Sequence, residues 1–142
     1  MEPRLSLVTL GVDDLDRAVA FYRDVVGWRP ISTAPGIAFF DLGGTVLGLW
    51  PHAELTVELG QERGPGDYYG VALAQNVRSR EEVDALFAEL RARGATIAKE
   101  PTATDWGGYS GYFTDPDGHR WELAHNPGWP LDADGRVVLQ PD

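Results

Sequence analysis

The stretch GYFTDPDGHRWELAHNP, residues 111–127, decides the fold, because it reads as a strand, a tight Asp-Pro-Asp-Gly turn and a second strand. The second strand carries a glutamate, Glu122, between Trp121 and Leu123. A carboxylate in a segment otherwise suited to burial needs a reason. It is a metal ligand, a general base, or a hydrogen-bonded part of a cavity wall. Which of these holds depends on what the rest of the chain brings to it.

Working outward, SREEVDALFAELRARG precedes the hairpin and reads as a helix with Ser79 as N-cap, Glu82 closing a capping box and Gly94 as its stop. A strand over 68–77 comes before that helix, and ATIAKEP and GGYSGYF supply two strands after it. The first half has the same order. LSLVTLGV alternates as a two-faced strand, and DDLDRAVAFYRDVVGW has helical spacing with Asp13 and Asp14 as candidate caps and Gly27 as its end. Strands follow around 28–33, 37–42 and 45–51, the last two joined at Gly43-Gly44. GQERGPGD, polar and rich in Gly and Pro, has the composition of a linker.

The halves overlay. Gly44 falls on Gly118, Phe39-Phe40 on Tyr112-Phe113, and Leu7 on Gly70. A βαβββ unit used twice predicts an α+β fold of paired modules. Within one domain over 1–142, the expected boundaries are about 4–58 for module one, 59–67 for the linker, 68–127 for module two and 128–142 for a C-terminal tail.

Composition narrows the function. A chain of 142 residues with 43% hydrophobic and 24% charged residues suits one globular domain. The net charge of −10 combines 22 acids with 12 bases, and Lys99 is the only lysine. The arginines at 78, 80, 91 and 93 alternate with glutamates as on a solvated helix face, so no basic stripe exists for phosphates and nucleic acid is not an expected partner. No apolar run approaches a membrane span, and MEPRLSLVTL lacks a signal peptide's regions, so the expected location is cytoplasmic. With no cysteine, disulfides, thiolate zinc sites and cysteine nucleophiles are excluded.

Two segments, VDDLDRAVAFYRDVVGW and GGYSGYFTDPDGHRWELAHNP, resemble the vicinal oxygen chelate superfamily, over about residues 4–127. That superfamily includes glyoxalase I, extradiol dioxygenases, fosfomycin-resistance transferases and bleomycin-resistance proteins. The resemblance implies two βαβββ modules curled into a ligand-holding cup. It also implies pairing of modules within one chain or across two, with a homodimer expected at this length. Enzymes of the family hold a divalent metal from the first and last strands of each module, with a histidine or glutamine where Leu7 stands and a glutamate where Glu122 stands. The repeat carries those positions onto Gly70 and Gly48. Leu, Gly and Gly have no donor atoms, and one carboxylate does not hold a catalytic ion, so no metal and no other cofactor is expected.

Other side chains do not compensate. On a strand, residues two apart share a face, so His119 and His125 point away from Glu122, while His52 has the parity of Gly48 and Trp50 and reaches the mouth of the cup. DPDG and DADG are turns, since the glycine comes too early for a calcium loop. What remains around the small residues Gly48, Gly70, Ala72 and Ala74 is aromatic. Trp50, Tyr69, Trp106, Tyr109 and Tyr112, with His52, are the candidate ligand-binding residues, and they suit a small planar organic molecule. An acidic surface beside an aromatic cleft suits a cationic guest. Desolvation of Glu122 is expected to raise its pKa, which admits a role as general base. Two readings stand: a metal-independent binding protein, and a lyase- or isomerase-like enzyme with Glu122 as catalytic base. A metal-dependent glyoxalase or dioxygenase is the third and least favoured.

Overall fold

The protein is described from a computed structural model covering residues 6–59 and 71–138. It divides into two compact units, residues 1–67 and 68–142. The first contains β1 (Leu7–Val12), α1 (Leu15–Ala20), β2 (Pro30–Ala34), β3 (Ile37–Asp41), β4 (Val46–Pro51) and α2 (His52–Leu59). The second contains β5 (Ala72–Asn76), α3 (Arg80–Ala92), β6 (Thr96–Ala103), β7 (Tyr109–Thr114) and β8 (Arg120–His125). The fold is α+β, with a βαβββ module in each unit. The strands form two four-stranded mixed sheets in the orders β1-β4-β3-β2 and β5-β8-β7-β6.

In module one, the Asp14 carboxylate accepts the Arg17 N–H at 2.9 Å and starts α1. The helix continues as a wider, π-helical turn over Phe21–Val26 and stops at Gly27, whose φ of 89° is left-handed. Phe21 and Tyr22 are both buried, although adjacent in sequence. Tyr22 stacks on Trp28 at 5.9 Å and leans on Phe40 at 5.7 Å. Phe40 pairs with Leu47, and Ala38 with Leu49, so these four buried residues form the sheet face under α1. Phe39, Gly48 and Trp50 therefore face the other way.

Module two repeats the plan. The Ser79 hydroxyl accepts the Glu82 N–H at 3.1 Å, while the Glu82 carboxylate accepts the Arg78 N–H at 2.8 Å, one residue earlier than in the usual box. Val83, Phe87 and Leu90 recur along α3 at three- and four-residue steps and are buried. Phe113 and Trp121 stack at 6.4 Å on the face of the sheet that meets α3. The β6–β7 pairing breaks register between Ile97 and Lys99 and again between Lys99 and Thr102.

The repeat differs from the sequence overlay at one strand. Phe39 pairs with Gly48 and Tyr112 with Glu122, which keeps Gly48 and Glu122 equivalent. On β1 and β5, however, the matching residues are Val12 and Val77, the N-caps Asp14 and Ser79, buried Ala18 and Val83, and buried Tyr22 and Phe87. The register of Leu7 with Val46 corresponds to that of Ala72 with Arg120. Leu7 thus matches Ala72, not Gly70, because two residues fewer separate the aligned strand from its helix than the overlay assumed. Alanine has no donor atom either. Gly70 and the start of the expected strand at 68 lie outside the described residues, as does the linker 60–67.

The C-terminal tail closes a second Asp-x-Asp-Gly turn. Leu131 bridges Val137, and Asp132 accepts the N–H groups of Asp134 and Arg136, each at 2.9 Å. The Arg78 guanidinium donates to the Asp132 and Ala133 carbonyls at 2.7 and 3.2 Å, tying the turn to module two. Among the described residues, no helix is long and apolar enough to cross a membrane.

Candidate functional site

The site is built from the sheet face turned away from the helix in each module, taken one module at a time. In module two, Gly111 marks the helix side, since a Cβ there would meet Phe87 Cζ at 2.7 Å. Tyr112 points to the opposite face, and its register partners continue across the sheet as Lys99 on β6 and Glu122 on β8, then Ala74 on β5. Tyr112 and Glu122 are half-buried, while Lys99 and Ala74 are exposed. Burial raises the Tyr112 phenol above its ordinary pKa of 10, and the Glu122 charge and a hydrogen bond to its carboxylate act in the same direction. Glu122 and Tyr112 are thus direct register partners on one face of the sheet.

Module one presents the same row without that pair. Phe39 stands where module two has Tyr112, Gly48 where it has Glu122, and Thr9 completes the row. One step along, half-buried Trp50 pairs with Gly11. A Cβ on Gly11 would strike the His52 ring and come within 3.2 Å of Leu55, so α2 covers this end of the face. His52 Nε2 lies 3.9 Å from Asp13 Oδ1. His52 is the first residue of α2 and reaches Gly11 from a helix, whereas strand parity with Gly48 and Trp50 was the expected route.

The remaining candidates separate. Tyr109 is on the wrong face: its hydroxyl donates to Asp84 Oδ1 at 2.8 Å and Arg80 lies 5.6 Å over its ring, both from α3. Tyr109 and Tyr112 are three residues apart on one strand, so they cannot share a face, and Tyr109 leaves the ligand-binding set. Trp106 is 53% exposed, with its ring folded over Gly108 in the turn before β7. Tyr69 lies outside the described residues. His125 sits on the α3 side with Nδ1 3.4 Å from the Val77 carbonyl. His119 is held by Asp115, its Nδ1 2.7 Å from Oδ2. Neither histidine shares the face of Glu122, as parity requires. Sequence reasoning missed that Lys99 belongs to the Tyr112–Glu122 row; strand register was the signal that would have placed it.

The sequence profile of the Glyoxalase/Bleomycin resistance protein/Dioxygenase superfamily matches residues 4–123. The chain belongs to this superfamily. It is similar to a metallothiol transferase FosB of Shouchella clausii, 31% identical over 84% of this chain and 77% of that protein. It is also similar to the lactoylglutathione lyase GLX1 of Arabidopsis thaliana, 30% identical over 84% of this chain but 43% of that longer protein. Among solved structures, a glyoxalase-related enzyme from Fulvimarina pelagi superposes with a TM-score of 0.86 at 38% identity, covering 99% of this chain and all of that one (100%). These superfamily relatives bear out the fold inferred from the duplicated βαβββ unit.

A metal is the cofactor the superfamily implies, and the four strand positions that the resemblance assigns to its ligands do not fit one. Of the four strand positions that the resemblance assigns to ligands, Leu7, Gly48 and Gly70 carry no donor atom and only Glu122 does. The register match of Leu7 with Ala72 adds none. Zinc sites draw three or four donors from the protein, and the single carboxylate at these positions does not supply them.

Proposed function

We propose that this chain is a metal-independent member of the superfamily that binds a small planar organic molecule, in the cytoplasm and as a homodimer. The observation that carries the reading is the pair of equivalent positions Gly48 and Glu122. One copy of the position carries no side chain, and the other carries a carboxylate next to Tyr112 on the neighbouring strand. Within module one Phe39 and Trp50 lie beside Gly48 and Gly11, and within module two Tyr112 shares a row with Ala74; flat rings next to small residues suit a planar guest in either module. Trp106 belongs to module two and is exposed enough to report on binding.

A second reading is favoured by the half-buried carboxylate itself: a lyase- or isomerase-type enzyme in which Glu122 removes a proton from the bound molecule and Tyr112 stabilises it. Glu122→Gln separates the two, because glutamine keeps the shape and removes the proton acceptor. In a binding protein it alters affinity modestly; in an enzyme it leaves binding intact and lowers turnover roughly a hundredfold or more. The metal-independent reading is tested first by elemental analysis and thermal melting. Purified protein is expected to carry substoichiometric zinc, iron, nickel and manganese, and added metal is expected to leave its melting temperature unchanged. Stoichiometric metal that disappears in Glu122→Gln would sink it. Sedimentation at micromolar concentration tests the dimer, and a strict monomer refutes it.

A further inference from the structure

We infer that Tyr112 and Glu122 act together as a charge selector, an acceptor pair that takes a cationic nitrogen head group, a protonated amine or amidine, at one end of the planar guest. This rests on the proposal that a planar organic molecule binds here. The two residues are direct partners across β7 and β8, and the β-carbons of such partners lie about 4.5–5.5 Å apart. The next residue in the row, Ala74, has only a methyl group and is exposed, so the carboxylate is not screened from the β5 side.

The donor inventory then decides what the pair can accept. A tyrosine has one O–H proton, and the carboxylate of Glu122, its register partner across β7 and β8, is an acceptor for it. An ionised carboxylate has no proton to give. Toward a guest, both groups therefore offer lone pairs alone, and a guest with N–H donors completes them. An anionic head group would meet the carboxylate without a compensating donor, which is unfavourable in a half-buried site. The overall charge of −10 favours the same sign of guest at long range. Lys99 is the one cation of the row. It sits exposed on the edge strand at a break in register.

Module one sharpens the assignment. Phe39 and Gly48 at the matching positions lack both the hydroxyl and the carboxylate, so the selector exists in one copy. A planar guest with one polar end needs one such group, not two.

The experiment compares three molecules of nearly one shape: benzamidine, benzamide and benzoate, titrated by calorimetry and tryptophan fluorescence. Benzamidine is expected to bind at least about tenfold more tightly than benzoate, with benzamide between them, since a charge-assisted hydrogen bond is worth about a decade in affinity. In Glu122→Gln the spread is expected to shrink to within about threefold, as the long-range charge that remains is screened. Tyr112→Phe, which keeps the ring, is expected to narrow the preference and serves as the test should Glu122→Gln fail to fold. Equal binding of the three, tighter binding of benzoate, or a preference unchanged in both variants overturns the selector while leaving the planar guest standing. Failure of all three to bind at millimolar concentration overturns both.

Discussion

Replacing Asp115 by alanine should be among the most damaging single changes in module two. Asp115 opens the DPDG turn and is 4% exposed, with its carboxylate fully buried. One oxygen accepts the N–H groups of Asp117 and His119, each at 2.9 Å, and the other pairs with His119 Nδ1 at 2.7 Å. Alanine removes all three acceptor contacts and leaves two backbone donors and a ring nitrogen without them. Hydrogen bonds to a charged group contribute about 1.5–3 kcal/mol each, but bonds sharing one carboxylate are not additive, so the expected loss is ~3–4 kcal/mol. At ~3 °C per kcal/mol for a chain of this size, the melting temperature should fall by about 10 °C. The protein contains its own control. Asp132 accepts the N–H groups two and four residues on at the same 2.9 Å, but in a solvent-accessible turn. Water can replace that acceptor, so Asp132→Ala should cost no more than ~1 kcal/mol. Thermal and urea unfolding of both variants, followed by circular dichroism, measures the difference. Equal losses, or a loss below ~1 kcal/mol for Asp115→Ala, would refute the claim that burial, rather than the turn geometry, sets the value of these bonds.

Two further outcomes are expected. In Gly111→Ala the new methyl would meet the Lys99 carbonyl oxygen and the Pro101 nitrogen, both at 2.9 Å, as well as Phe87; backbone cannot yield as a side chain can, so unfolding experiments should show a loss of about 1–3 kcal/mol, and no loss would mean that β6 moves freely. The Tyr112 phenol should ionise above pH 10, and Glu122→Gln should bring it back toward that value, as ultraviolet difference titration against Tyr112→Phe would show. Because the folded state holds that proton more tightly than the unfolded chain, its contribution to stability should decline as pH rises from about 10 through the folded pKa and be absent from the slope at neutral pH. A Tyr112 that titrates at or below 10 contradicts this.

The duplicated fold was legible because its punctuation is chemical. Asp14 and Ser79 are caps by virtue of their side-chain oxygens, Gly27 adopts the left-handed backbone that ends its helix, and the DPDG hairpin fixes the last pair of strands. Less was legible where the chemistry is weak. Helix α2 begins directly after β4 at His52, has no capping serine or aspartate, and alternates small, acidic and apolar residues without a clear stripe, so it reads as strand end and linker. The two-residue error on β5 arose because Leu7 and Gly70 were matched by local composition, whereas the buried pairs Val12–Val77 and Tyr22–Phe87 set the register. For the candidate site, Glu122 and Tyr112 were named from the sequence as separate candidates, but their direct pairing was not, since it depends on register across two strands. Tyr109 was misplaced for the opposite reason: its parity was available in the sequence, and the attraction of a third aromatic ring outweighed it.

Strand β6 has a bearing on how this protein behaves when concentrated. Among the described residues it pairs on one side only, with β7, and would otherwise offer an eight-residue ladder of open backbone groups to any passing strand. Its two breaks in register fall around Lys99, and Pro101, which lacks an N–H, sits within the second. A kinked edge, a charge and a missing donor are three separate obstacles to adding another strand. They occupy the same few residues, and they spend the chain's only lysine on the edge of a sheet. Straightening that edge, by Pro101→Thr together with Lys99→Thr, would leave the interior untouched while removing the protection against intermolecular sheet growth. Insolubility on standing, rather than a lower melting temperature, is the form in which its loss would be felt.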